Sequence, residues 1–424
     1  LFIFKSLAFL NGQRSANSKA SIRILVTGAQ ILTIYRLTVK KLFFKRLANI
    51  FLMAFSLNLW GQTNQVTPTN GNSPALGSHL AHQSSKPHQK RPRKVRQIIT
   101  ETGPYFKRTP ELLDLAQQIS QANDLPKPWV VDQLLKAKSL SKIKQLVLPP
   151  SIGVKKNWLA YKERFLTESR IQGGVDHAQK NWAYLEKAQS IYQVPWEIIV
   201  AILGVETFYG QNMGHFKALD VLTSLSMDFP KSHPRAQERE LFFRQELGAL
   251  LKLMQTNPQQ VWLSSYAGAM GLPQFMPSNW HKFAVDFDGD GRIDLNNSTA
   301  DAIGSVGNYL AKFGWQPNMP THFEIDPTFD KTHLQELLVP DILPSFRAQQ
   351  LLEWGLVLTP SAQRHPGPLA LVMLENGEDE AHYVLGTENF YTVTRYNWSS
   401  YYALAVIELA QVVSKRMKSC IAKC

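Results

Sequence analysis

The chain has only two cysteines in 424 residues, Cys420 and Cys424, both at its C-terminal end. So few exclude a disulfide framework and a cysteine zinc site. Acidic residues are absent from residues 1–100, which carry 15 of the 46 lysines and arginines and none of the 33 acids. The net charge of +13 therefore belongs to the N-terminal stretch, because residues 101–424 hold 31 basic and 33 acidic residues. That placement removes most of the case for a cationic nucleic-acid-binding body, and no nucleic-acid partner is expected. Also missing are a His-Glu-x-x-His zinc motif, a phosphate-cradling Gly-Lys-Ser loop and a Gly-x-Ser-x-Gly nucleophile elbow; Gly304-Ser305-Val306-Gly307 lacks the elbow's spacing.

What is present divides the chain. Apolar residues make up 44% of it, enough for a sizeable core, and the length fits one to three domains. Lys40-Lys41-Leu42-Phe43-Phe44-Lys45-Arg46 precedes an apolar run from Leu47 to Trp60, then polar Gly61-Gln62-Thr63-Asn64. Charge, a short greasy segment and a polar flank form the layout of a secretory signal peptide, and the run is too short to span a bilayer comfortably. No cysteine follows it, so a lipoprotein anchor is not expected. The first Met is Met53, and translation is expected to start near Val39, which makes residues 1–61 an over-called start plus a signal peptide. Residues 62–100 are rich in Ser, Asn, Gln, Pro and Gly and end in Lys90-Arg91-Pro92-Arg93-Lys94, the composition of a disordered basic linker.

From residue 101 to 424 the chain reads as a globular, mainly helical body. Thr109-Pro110 starts a helix over 110–122, and 128–147, 174–192 and 236–254 follow. Val194-Pro195-Trp196-Glu197 opens another, and residues 401–417 form the last. Leu369 to Leu374, Asn376-Gly377 and His382 to Leu385 read as a hairpin, and Tyr391 to Thr394 as a further strand, which places a small β element at about 366–395.

Three segments could carry chemistry. Ile198 to Val205 contains no polar side chain, so its helix is buried nearly all round and Glu206 ends it in apolar surroundings. Desolvation raises the pKa of such a carboxyl, as a general acid near neutral pH requires; a buried Glu paired with an Arg or capping a backbone group is the competing reading. Gly204 and Gly210 flank it and would leave room for a ligand. The second segment, Ser264 to Pro277, mixes small residues with polar and aromatic ones, so a polymer could approach its backbone while Ser265 and Gln274 supply hydrogen bonds. A tight helix contact would use the same residues. In the third, Asp286, Asp288 and Asp290 take positions 1, 3 and 5, Gly291 position 6 and Asp294 position 9 of an EF-hand-like calcium loop. Position 12 is Asn297 instead of Glu, which leaves Asp301 as the nearest acid beyond the loop.

Taken in order, Val205 to Gly210, Ser265 to Gly271, Gln274 to Ser278, the Asp286 loop, Asp301 to Ser305 and Thr394-Arg395-Tyr396-Asn397 resemble the membrane-bound lytic murein transglycosylase B family of Gram-negative bacteria. The resemblance covers roughly residues 105–415. It implies an α+β fold, mainly α, with a lysozyme-like helical catalytic core, an additional α domain and a small β domain. It implies Glu206 as a single catalytic acid/base. Ser265 and Gln274 would line the site beside it, Tyr161, Tyr309, Tyr396, Asn397 and Tyr402 would form a sugar-binding wall, and Arg235 would meet the peptide or sugar chain. Asp286, Asp288, Asp290, the Arg292 carbonyl and Asp301 would hold structural calcium. The implied substrate is the peptidoglycan glycan strand, cut without water to leave 1,6-anhydromuramic ends, in the periplasm and in company with cell-wall synthesis or remodelling complexes. Two other functions fit the same residues. One is a hydrolytic muramidase drafting Asp220 or Asp228 as a second carboxylate, and the other a non-catalytic, calcium-dependent peptidoglycan-binding protein.

Overall fold

A computed structural model describes residues 103–149 and 155–421. The expected over-called start, signal peptide and basic linker lie outside these residues. Helices α1 (Pro110–Asn123), α2 (Lys127–Leu135) and α3 (Ser141–Leu146) come first, followed by α4 (Trp158–Glu163), α5 (Glu168–Lys180) and α6 (Trp182–Tyr192). Then come α7 (Trp196–Thr207), strand β1 (Phe216–Lys217), α8 (Ala218–Met227), α9 (Ala236–Thr256), strand β2 (Leu263–Ser264), α10 (Pro277–Phe283) and α11 (Thr299–Lys312). The chain ends with β3 (His322–Glu324), α12 (Leu334–Leu338), α13 (Ala348–Glu353), α14 (Pro360–Gln363), β4 (Ala370–Asn376), β5 (Asp379–Gly386), α15 (Glu388–Thr394) and α16 (Ser400–Ile421). Among the described residues no single helix is long and apolar enough to cross a membrane.

The hub is α7, whose residues Ile198 to Thr207 are all buried. A helix apolar on every side must be covered on every side. Helix α16 lies along it, and α5, α6 and α11 close the rest. A second helical group forms where α9 packs on α8, α1 and α10. Between the groups run the two-stranded ribbon β1–β2 and the loop after it, with Phe216 opposite Ser264. The third part is an antiparallel sheet in the order β3-β5-β4. Its core takes Ile325, Phe329, Leu337, Phe346, Leu351, Leu356, Leu369, Leu371 and Leu385. The small β part therefore begins near His322, well before the expected 366.

Three sequence expectations are corrected. The stretch 128–147 breaks into α2 and α3, because the amides of Lys138 and Leu140 bond to Asp220 Oδ1 and Ser224 Oγ of α8, both at 2.9 Å, instead of to the preceding turn. The stretch 174–192 is two helices parted at Asn181, whose own amide side chain donates to the His177 carbonyl at 2.8 Å. Tyr391 to Thr394 is helical, not a strand. Thr387 caps α15 by accepting the Asn389 amide at 3.1 Å, and Phe390 and Val393, three apart, are both buried.

Candidate active site

Glu206 occupies the last turn of α7 and is 4% exposed. The helix stops one residue later. Phe208 and Tyr209 adopt left-handed backbone, with φ of 51° and 56°, and their amides bond back to the carbonyls of Gly204 and Leu203. Thr207 fixes this end to the next segment. Its hydroxyl donates to the Leu272 carbonyl at 3.0 Å and accepts the Gly210 amide at 3.0 Å. Leu272 belongs to the small-residue loop that also carries Ser265 and Gln274. The openings expected at Gly204 and Gly210 are filled by protein. A side chain at Gly204 would meet the Tyr209 ring, and one at Gly210 would meet Leu272. These glycines serve close packing.

The Glu206 carboxyl has one hydrogen-bond partner, the Tyr402 hydroxyl, which donates to Oε1 at 2.7 Å. Oε2 is buried with no partner. Burial pushes the pKa up to about 8, against the smaller opposing effect of Tyr402, which favours the ionised form. Among the described residues no arginine partners this carboxyl and no backbone amide is capped by it, so the competing structural reading fails. The rings around it are linked. Tyr402 stacks on Tyr396 with centroids 6.3 Å apart, and Tyr396 contacts Tyr309 at 4.8 Å. The hydroxyls of Tyr309 and Tyr396 donate to the carbonyls of Arg395 and Pro273, each at 2.6 Å. Burial raises the pKa of Tyr161, Tyr309, Tyr396 and Tyr402, and a negative Glu206 would raise each further. All four hydroxyls therefore stay neutral around the acid.

Tyr309 and Tyr402, at 1% and 0% exposure, do not form a sugar-facing wall; they back the carboxyl and brace Tyr396. Tyr161 and Tyr396 are half-buried and Asn397 is buried. Ser265 Oγ accepts the Ala269 amide at 3.2 Å and shapes its own turn. Gln274, at φ 49°, donates from Nε2 to the Gly271 and Met213 carbonyls. Arg235 precedes α9 and pairs with Glu238. Asp220 bonds to the Lys138 amide and Asp228 to Lys144, so both drafted second carboxylates are engaged by the segment around α3. Two contributors sit inside the segments that carry the resemblance but had no role assigned from sequence: Thr207, which pins the end of α7, and Phe275, which packs on Tyr309 and Tyr396.

In the aspartate loop, oxygens of Asp286, Asp288 and Asp290 lie within 4.8 Å of one another. Asp286 accepts the amides of Gly289 and Gly291, both at 2.8 Å, and Asp288 accepts the Ser298 hydroxyl at 2.7 Å. Three hard oxygen donors on one turn suit a calcium-like cation. Asp301 lies outside that trio but within electrostatic reach of Asp288. It is buried at the base of the loop and accepts the Phe287 and Asp294 amides at 2.7 and 2.8 Å, which ties the two ends of the loop together. The exposed Arg292 donates its amide to Asp290 Oδ1 at 2.8 Å.

Known proteins resemble this chain in sequence and fold. A family model described as the transglycosylase SLT domain matches residues 108–411. The membrane-bound lytic murein transglycosylase B of Escherichia coli (strain K12) is 34% identical over 329 residues, covering 74% of this chain and 86% of that protein. The soluble lytic transglycosylase SltB1 of Pseudomonas aeruginosa superposes with a TM-score of 0.63 at 32% identity, over 72% of this chain and 99% of its own. Escherichia coli Slt35 in complex with calcium gives a TM-score of 0.63 at 32% identity, over 75% and 97% of the two chains. A match over most of the body, at this identity and with the same fold, makes this chain an enzyme of the transglycosylase SLT domain family, a lytic transglycosylase with a lysozyme-like helical core.

Proposed function

We propose that the chain cleaves the β-1,4 bond between N-acetylmuramic acid and N-acetylglucosamine in peptidoglycan, leaving 1,6-anhydromuramic ends, with Glu206 as the only acid/base. The observation that carries this reading is the neutral, buried carboxyl whose Oε1 is held by Tyr402 while Oε2 has no partner. The proton on Oε2 passes to the glycosidic oxygen as the C1–O4 bond breaks. The substrate's own N-acetyl carbonyl closes on C1 as an oxazolinium, which takes the place of the second carboxylate that most glycosidases need. Ionised Glu206 then removes the proton from the muramyl O6 hydroxyl, O6 attacks C1, the oxazolinium opens, and the carboxyl is again protonated. Tyr402 steadies the carboxylate between the two steps through its hydrogen bond. The rings of Tyr161 and Tyr396, with Asn397, Ser265 and Gln274, are the groups assigned to contact the sugars.

Asp286, Asp288, Asp290 and the Arg292 carbonyl are assigned to a structural calcium ion, with Asp301 closing the loop beneath it. The ion neutralises clustered carboxylates and need not touch substrate. Peptidoglycan places the work in the periplasm. The test is mass spectrometry of digested peptidoglycan with wild type and Glu206→Gln side by side. The wild type should release anhydromuramic products and the variant should bind without cutting. Unchanged release by the variant would refute the assignment of Glu206, and reducing-end products would replace it with hydrolysis.

A further inference from the structure

Running on from Tyr161 beside the acid are three side chains, Phe165, Arg170 and Phe208, that the proposed reaction does not use. Arg170, in the first turn of α5, has its guanidinium carbon 5.2 Å from the centre of the Phe165 ring and 4.9 Å from that of Phe208. Phe208 is two residues past Glu206, and Phe165 touches Tyr161 with ring centroids 5.2 Å apart. Tyr161 in turn lies within electrostatic reach of Glu206. Tyr161, Phe165, Arg170 and Phe208 thus form a continuous strip next to the acid, and each is half-buried, so one side of the strip meets solvent. Arg170 donates from Nη1 to the Arg164 carbonyl, while its Nε is buried with no partner. Among the described residues it makes no ion pair. Arg235, by contrast, is engaged by Glu238.

A guanidinium held between two aromatic faces, desolvated in part and lacking an acid, is a receptor for a planar anion in its own plane. We infer that Arg170, set between Phe165 and Phe208, is a carboxylate-binding subsite that reads an acidic group on the glycan strand close to the scissile bond. This rests on the peptidoglycan reading above and names a specificity element within it. Two sources of carboxylate occur on such a strand: the free lactyl group of a peptide-stripped muramic residue, and the carboxylates of an attached stem peptide.

The experiment uses the full chain carrying Glu206→Gln to prevent turnover. Calorimetric binding is measured for peptide-bearing strands, peptide-stripped strands and a neutral N-acetylglucosamine oligomer, with and without Arg170→Met. The added substitution should weaken one or both carboxylate-bearing ligands about tenfold, the size of a single charge-assisted hydrogen bond, and leave the neutral oligomer unchanged. Loss confined to stripped strands assigns the lactyl group, and loss confined to peptide-bearing strands assigns the peptide. An equal effect on all three ligands, or none on any, overturns the inference. Failure of every ligand to bind before Arg170 is altered would instead overturn the peptidoglycan reading. Should Arg170→Met not fold, Arg170→Lys and a salt titration of the Arg170-containing protein decide the matter. Salt should weaken the carboxylate-bearing ligands and spare the neutral one, and equal salt response across ligands overturns the inference.

Discussion

Replacing Glu206 by Gln should make the protein more stable at alkaline pH while abolishing its activity. In the folded chain the carboxyl keeps its proton up to about pH 8, whereas the unfolded carboxyl releases it near 4.5. Below the lower value the group is neutral in both states and carries no penalty. Between the two values only the unfolded chain gives up the proton, so stability falls as pH rises, and above the upper value the whole penalty stands. At about 1.36 kcal/mol per pH unit, the full window is worth on the order of 5 kcal/mol. Gln has the same shape and cannot titrate. Its oxygen can still accept the Tyr402 hydroxyl, so any cost or gain from the amide is a constant offset. Urea denaturation of both proteins at half-unit steps from pH 4.5 to 8.5 gives the comparison. The Gln variant should gain several kcal/mol relative to wild type across that range, most of it before pH 8. Curves that stay parallel across the range would show that Glu206 titrates as an ordinary surface carboxyl, and the reasoning would fail.

Tyr402→Phe removes the hydrogen bond that favours the ionised form, so the alkaline limb of the kcat/KM profile should move upward by about one pH unit, alongside a lower maximum. Calcium should raise the melting temperature of the wild type, by about 2.7 kcal/mol of stability at a hundredfold excess over Kd, and Asp286→Asn should abolish the increment in a thermal-shift titration. Gly204→Ala would put a methyl 2.5 Å from the Tyr209 hydroxyl, which is held by the Arg170 carbonyl at 3.0 Å. A loss of about 1–3 kcal/mol in denaturant unfolding is expected, and a neutral effect would count against the tight α5–α7 contact.

The parts of the site that sequence alone made legible are those fixed by local pattern. The all-apolar run of α7 announced the burial of Glu206, the alternating aspartates announced the oxygen cluster, and Asn376-Gly377 announced the β4–β5 turn. What stayed hidden depends on partners far along the chain. Asp220 and Ser224 break the helix expected over 128–147 from some eighty residues away. The third strand, β3, is three residues long and lacks a pattern of its own until it pairs with β5. Tyr309 and Tyr402 look like any aromatic able to stack on sugar. Only the packing of α11 and α16 around α7 puts them behind the acid instead of in front of it. Gly210 read as an opening because Leu272, which fills it, lies far along the chain, and Gly204 because the left-handed turn at Phe208 and Tyr209, which folds the Tyr209 ring back onto it, has no signal in the local pattern.

On the proposed mechanism one neutral carboxyl severs the glycan with the sugar's own hydroxyl as nucleophile, so no water enters the product. Digestion of peptidoglycan in water enriched in heavy oxygen, with the released fragments weighed by mass spectrometry, tests it most directly. The new muramyl ends should carry no solvent oxygen. One heavy oxygen incorporated per cleavage event would contradict it.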